Sequence, residues 1–211
     1  MAQDQIVFIV DDDRRIRESL IELLSSFDMH AVAFGTAAEY LAYPKPDVPT
    51  CLVLDVQLPD INGLELQSRI AQDNHPHIVF ITGHGDIPAS VRAIKAGAVD
   101  FLPKPFQSAD LMRAINAALD QNRDSRRRSE ELSDLHTRLS SLTPRELEVL
   151  PLVASGLLNK QAAAELGISE ITLQVHRGNI MKKMGAGSLA ELVRMAGTLE
   201  IPMTHSRHPQ R

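Results

Sequence analysis

Ile6-Val7-Phe8-Ile9-Val10-Asp11-Asp12-Asp13 is an apolar run that stops at three consecutive carboxylates. Three later runs end the same way. Cys51-Leu52-Val53-Leu54 stops at Asp55, Ile78-Val79-Phe80-Ile81 at Thr82, and Val99-Asp100-Phe101-Leu102-Pro103 at Lys104. Short, nearly continuous apolar runs are the signature of strands buried on both faces, as in a parallel sheet. In such a sheet all carboxyl ends share one edge, and ligands bind outside it. An acidic cluster, a lone Asp, a hydroxyl and a lysine are therefore expected at one place.

Helical stretches separate the strands. Ile16, Leu20, Leu23, Leu24 and Phe27 follow a helical period, as do Leu64, Leu66 and Ile70, then Ile87, Val91 and Ile94, then Leu111, Ile115, Ala118 and Leu119. Ala31-Val32-Ala33-Phe34 adds a short strand, and Thr36 is placed to cap a short helix carrying Tyr40 and Leu41. Five strands alternating with five helices predict an α/β doubly wound domain with a five-stranded parallel sheet.

The remainder has a different character. Residues 1–120 hold 17 Asp and Glu against 9 Lys and Arg, whereas residues 121–211 hold 10 against 13, so the net charge of −5 hides two modules of opposite sign. From Phe106 to Thr143 there is no Gly or Pro, and Leu132, Leu135, Leu139 and Leu142 make one narrow stripe. The segment fits either a partly frayed, charged linker or a continuous helix, which from Ala109 to Leu142 would reach about 50 Å and could pair with another. Thr143-Pro144-Arg145-Glu146 reads as a capping box, and Ser188-Leu189-Ala190-Glu191 as a second. Between them Gly167 closes one helix and Ser169 opens the next. These signals predict an all-α, four-helix unit with a helix-turn-helix. The expected boundaries are 1–122 for the α/β domain, 123–141 for a helical linker, 142–200 for the helix-turn-helix unit and 201–211 for a disordered tail.

Composition excludes several classes. Cys51 is the single cysteine and lies in an apolar run, which rules out an internal disulfide and reads as a buried thiol. There is no Trp, and aromatics make up 4%, too few for a single-strand stacking platform. No signal peptide and no membrane span are recognisable, so a cytoplasmic protein without membrane contact is expected.

The expected sheet edge suits phosphoryl chemistry. Gathered carboxylates repel unless a cation neutralises them, and carboxylate oxygens with retained waters suit Mg²⁺. Asp55 beside that ion could act as nucleophile toward a phosphoryl group. Lys104 could pair with the transferred charge, and the Thr82 hydroxyl could donate to one of its oxygens. Asp13 is expected to start the first helix. His84, between two glycines, reads as a surface group.

These residues resemble the receiver domain of bacterial two-component response regulators over residues 5–122. The resemblance rests on Asp11-Asp12, on Asp55-Val56-Gln57-Leu58-Pro59 with Gly63, on Thr82, and on Lys104-Pro105. Ile81 to Pro88 and Lys95 to Phe101 are similar to the FixJ subgroup. The resemblance implies that Asp55 accepts the phosphoryl group, and that Asp11, Asp12, Asp55 and the Gln57 carbonyl hold Mg²⁺. It also implies that Thr82, Lys104 and Phe101 form the switch.

On the helix opened by Ser169, Leu173, His176, Arg177, Ile180 and Met184 share one face, expected to pack inward. Ile171, Gln174, Val175, Gly178 and Lys182 share the other. In a major groove Gln174 could pair with adenine and Val175 could touch a thymine methyl. Asn159, Lys160, Thr172, Arg177, Lys182 and Lys183 are candidates for phosphate contacts. Residues 141–198 resemble the LuxR/FixJ-type DNA-binding domain through Leu142 to Leu150, Asn159-Lys160, Val175-His176-Arg177 and Ser188 to Val193. Two positions depart from that pattern: Leu158 replaces a common capping Ser, and Gln174 a common Lys.

The combined expectation is a transcription regulator phosphorylated on Asp55 by a sensor histidine kinase. It would dimerise on phosphorylation, bind double-stranded promoter DNA and meet RNA polymerase. Two other classes compete. A Mg²⁺-dependent phosphohydrolase would need an acid where Gln57 stands. A constitutive DNA-binding protein would have no use for the complete set of strand-end residues.

Overall fold

The structure is a computed structural model that describes residues 5–70, 76–83 and 87–202. The chain divides into two units, Met1–Arg127 and Arg128–Arg211.

The first unit runs β1 (Ile6–Val10), α1 (Arg14–Ser26), β2 (Ala31–Phe34), α2 (Ala37–Ala42), β3 (Thr50–Asp55), α3 (Gly63–Ile70), β4 (His77–Thr82), α4 (Ile87–Lys95), β5 (Asp100–Pro103) and α5 (Ser108–Ser140), the last of which continues into the second unit. The strands pair in parallel in the order β2-β1-β3-β4-β5. Every residue of β1 and β3 is buried, which is why their sequences are apolar without alternation. One face packs Phe8, Leu52, Leu54 and Phe80 against Tyr40, Leu66 and Ala93 of α2, α3 and α4. The other packs Ile9, Val53 and Ile81 against Leu24 of α1 and Leu111, Ile115 and Leu119 of α5. Each such large side chain, fully buried, contributes roughly 1.5–3 kcal/mol. Cys51 is fully buried, and burial pushes its thiol above the usual range, so it packs and does not react.

The register pairs Val10 with Leu54, Asp55 with Ile81 and Thr82 with Pro103, so the four strand ends share one edge. This strand order reverses its direction of winding between β1 and β3, where Asp11 and Asp55 emerge, the place at which doubly wound sheets bind ligands. At the opposite edge Asn122 is buried in α5, and its Oδ1 accepts from Thr50 N at 2.9 Å.

The expected long helix is continuous as α5. Its leucine stripe is partly used within the second unit: Leu142 belongs to that core and Leu139 packs against it. Only Leu132 and Leu135 stay outside that cluster, which shortens the seam available for pairing with another helix.

The second unit continues with α6 (Pro144–Ala154), α7 (Asn159–Leu166), α8 (Glu170–Met184) and α9 (Leu189–Thr198). Thr143 makes the full reciprocal box, accepting from Glu146 N while Glu146 Oε2 accepts from Thr143 N at 2.8 Å. The second expected box is only half formed. Ser188 Oγ accepts from Glu191 N, but Glu191 Oε2 accepts from Gly187 N, one residue early. Gly167 and Gly185 end α7 and α8 at φ of 64° and 71°, a conformation that glycine adopts without strain. Val149, Leu150, Leu173, Ile180, Met184 and Leu192 form the core. The expected unstructured tail does not begin at residue 201: Ile201 packs on this core and donates to Ala196 O at 3.0 Å. The tail from 203 to 211 and His84 lie outside the described residues. Among the described residues no helix is long and apolar enough to cross a membrane.

Candidate functional site

Three carboxylates converge at the β1/β3 edge. Asp11 is fully buried, Asp55 is 6% exposed and Asp12 is exposed, and an oxygen from each lies within 4.8 Å of the other two. Local geometry fixes them. Asp13 N donates to Asp11 Oδ1 at 2.9 Å, and Gln57 N donates to Asp55 Oδ1 at 3.0 Å. Asp13 itself caps α1, accepting from Arg15 N at 2.8 Å, as its position predicted. Arg17 donates to the carbonyls of Asp11 and Asp12 at 2.7 and 2.9 Å and pins the acidic loop. Sequence reasoning missed that anchor, although Arg17 lies one helical turn beyond the loop it holds.

The other two oxygens of the buried pair face Lys104. Its Nζ lies 2.7 Å from Asp11 Oδ2 and 2.6 Å from Asp55 Oδ2. Burial pushes the Asp11 carboxyl above its usual range, and the Lys104 ammonium pulls against that shift. Burial acts to lower the Lys104 ammonium, but its hydrogen bonds to the two carboxylates prevail and hold it above the lysine range. Three carboxylates and one ammonium leave two negative charges, and the donors are hard oxygens with Asp12 on the open side. That set fits a small divalent cation such as Mg²⁺.

The flanking loops close tightly on this pocket. Gly63 N donates to Val56 O at 2.9 Å, and a Cβ at Gly63 would come 2.4 Å from Asp55 O, so only glycine lets the loop pass there. Lys104 N donates to Thr82 O at 2.7 Å, tying the ends of β4 and β5 together. Thr82 is buried. Phe101 is half-buried against Phe80, with ring centroids 6.0 Å apart. Thr82, Phe101, Gln57, Ala89 and Arg92 line a pocket of about 260 Å³ beside the carboxylates. On the other side a cleft of about 530 Å³, lined by Ile16, Ser19, Leu20, Leu23, Pro105 and Phe106, opens next to Lys104.

In the second unit α8 is two-faced as its spacing predicts. Leu173, Ile180 and Met184 are buried, and His176 and Arg177 are half-buried. Ile171, Thr172, Gln174, Val175, Gly178 and Lys182 are exposed, as is Lys160 on α7. Thr172 is drawn into the helix cap, its Oγ1 2.8 Å from Ser169 Oγ. Arg177 donates to Asn159 Oδ1 at 3.0 Å, so these two candidate contacts hold each other across α7 and α8. Leu158 brings no side-chain cap to α7; Gln161 Oε1 accepts from Leu158 N instead. Lys183 departs from expectation. It pairs with buried Glu146 at 2.7 Å and donates to Ser141 O at 3.0 Å, a structural role within this unit.

Comparison with known proteins gives a consistent result. Residues 7–116 match the family model of the response regulator receiver domain, and residues 140–196 that of bacterial regulatory proteins of the luxR family. The chain is 50% identical over 206 residues to nodulation protein W of Bradyrhizobium diazoefficiens, covering 97% of this chain and 91% of that protein. It is 42% identical over 197 residues to the transcriptional regulatory protein FixJ of Azorhizobium caulinodans, covering 93% of each. Among solved structures, the response regulator StyR superposes with a TM-score of 0.80 at 46% identity, over 92% of this chain and 98% of that one.

Proposed function

The chain belongs to the response regulators that join a receiver domain to a luxR-family DNA-binding domain, and we propose that Asp55 is the residue through which this two-component transcriptional regulator is switched. The observation that carries the proposal is the Lys104 ammonium bridging Asp55 and Asp11, with Asp12 in reach. Asp11, Asp12, Asp55 and the Gln57 carbonyl would hold Mg²⁺. The ion supplies charge neutralisation for the incoming phosphoryl oxygens.

A sensor histidine kinase is the donor. The Asp55 carboxylate attacks phosphorus, the bond to the kinase's histidine nitrogen breaks, and the phosphoryl group stays on Asp55. Lys104, already 2.6 Å from Asp55 Oδ2, follows the charge onto a phosphoryl oxygen. The Thr82 hydroxyl donates to another, and Phe101 turns toward the pocket beside it. The cleft next to Lys104 gives a docking helix apolar surface close to the reacting atoms. The new charge of about −2 thus biases a two-state element made of the ends of β4 and β5 with α4.

The output is DNA binding. Gln174 and Val175 would face the bases, Lys160 and Lys182 would reach phosphates, and Asn159, Thr172 and Arg177, held by their own contacts in this unit, would offer phosphate contacts from its edge. Pairing of two receivers through the α4–β5–α5 face brings two α8 helices to half-sites about 34 Å apart or a multiple of it. Bound as a dimer in the cytoplasm, the regulator meets RNA polymerase at the promoter. The protein acts as a switch and not as a turnover enzyme. Gln57 stands two residues after the nucleophile, and an amide cannot act as the acid or base that hydrolysis needs.

Sedimentation and DNA footprinting, with and without acetyl phosphate and Mg²⁺, test the reading. It expects dimers and protected half-sites only with the phosphodonor. Equal protection without it would favour a constitutive DNA-binding protein.

A further inference from the structure

Ile171 and Val175 are 77% and 58% exposed, unusual values for large apolar side chains in a packed helical unit. Singly, exposed apolar residues mean little. These two lie four residues apart on one face of α8, with Gln174 beside them and Lys182 further along the same face. Neither belongs to the core cluster or to the residues packed against it.

Gly178 makes a second, independent observation. It sits inside α8, where glycine weakens a helix relative to alanine. A Cβ there would meet nothing within 4 Å, so no packing inside the protein calls for glycine. A bare backbone on that turn leaves room for a surface that approaches from outside.

Lys182 on the same face, and Lys160 exposed on α7, outnumber Glu170 in the first turn of α8 and favour a polyanion, here duplex DNA, as that surface. Its major groove offers one strongly apolar feature, the C5 methyl group of thymine. Ile171 and Val175 are separated by about 6 Å along the helix axis, close to two base steps of about 3.4 Å. Gln174 is matched to adenine, which sits opposite or next to such thymines in A·T-rich sequence.

We infer that Ile171 and Val175 form a methyl-reading pair that selects two thymines in the major groove, with Ile171 a specificity residue in addition to the polar set. This rests on α8 being the DNA-binding helix. A random duplex library is selected with the full chain, with and without acetyl phosphate and Mg²⁺. In the selected duplex each thymine is then replaced by deoxyuridine, which removes only the methyl group.

Each of two thymines, about two steps apart, is expected to lose about four-fold in affinity on replacement, the equivalent of one buried methyl group. Ile171→Ala abolishes sensitivity at one of them and Val175→Ala at the other, while thermal unfolding of both variants stays close to the parent. Lys182→Ala weakens thymine and uracil duplexes equally. Selection of a motif without uracil sensitivity, or Ile171→Ala weakening both duplexes equally, overturns the methyl reading alone. No selection of any duplex overturns the DNA-binding reading and this inference with it.

Discussion

Lys104 Nζ lies 2.6 Å from Asp55 Oδ2 although the two residues are 49 positions apart in the chain. The same ammonium is the counter-charge for fully buried Asp11. Lys104→Met leaves two buried carboxylates without it, and the fold is expected to lose about 3–5 kcal/mol near neutral pH. The sign follows from Asp11, whose carboxyl is already raised in the folded state. A raised acid destabilises while ionised, and the penalty is relieved as pH falls and it protonates. The variant should therefore recover part of its deficit on acidification and gain more melting temperature from Mg²⁺ than the parent does. Equal Mg²⁺ shifts would contradict that account.

Glu146 works in the opposite direction. Its hydrogen bond to Lys183, then that to Thr143 N, hold its carboxyl below the usual range. A lowered acid contributes stability that is complete above its unfolded pKa and lost as pH falls through the lower folded value. Glu146→Gln should cost about 1–3 kcal/mol in urea unfolding near neutral pH. The gap to the parent should narrow below about pH 4. A gap independent of pH would show that the charge is irrelevant.

In the proposed switch Thr82 would separate receiving the phosphoryl group from responding to it. It is buried at the end of β4 and lines the pocket beside the carboxylates. Thr82→Ala should accept label from acetyl phosphate yet show little of the parent's shift toward dimer in sedimentation. Full dimerisation by the labelled variant would remove Thr82 from the switch.

If the α8 face meets DNA, Gly178 should set stability against DNA affinity. With open space around its Cβ position, Gly178→Ala should stabilise the second unit by about 0.5–1 kcal/mol. The same change should weaken DNA binding, because it adds volume to the face presented to the groove. A variant that is both more stable and equally tight would mean that the backbone does not approach DNA there.

Much of this was legible in the sequence because hydrophobic runs carry position. Val10, Leu54, Ile81 and Pro103 each precede a candidate site side chain, and parallel register brings those strand ends to one edge. The two faces of α8 were legible for the same reason, since buried Leu173, Ile180 and Met184 keep helical spacing. Tertiary polar contacts were not. Lys183 stands beside Lys182 and reads as a second phosphate contact, but one step of the helix turns it toward Glu146. Nothing in the sequence marks Asn122, yet it is buried and satisfies the first N–H of β3. Arg17 draws no notice in the sequence, and only the folded loop shows the carbonyls it holds.

The most direct measurement is the intact mass of the protein after acetyl phosphate and Mg²⁺, compared with Asp55→Asn. The parent should gain one phosphoryl group of about 80 Da, the variant none, and the adduct should map to Asp55. An adduct of the same mass on Asp55→Asn, or one that maps elsewhere in the parent, would contradict the account.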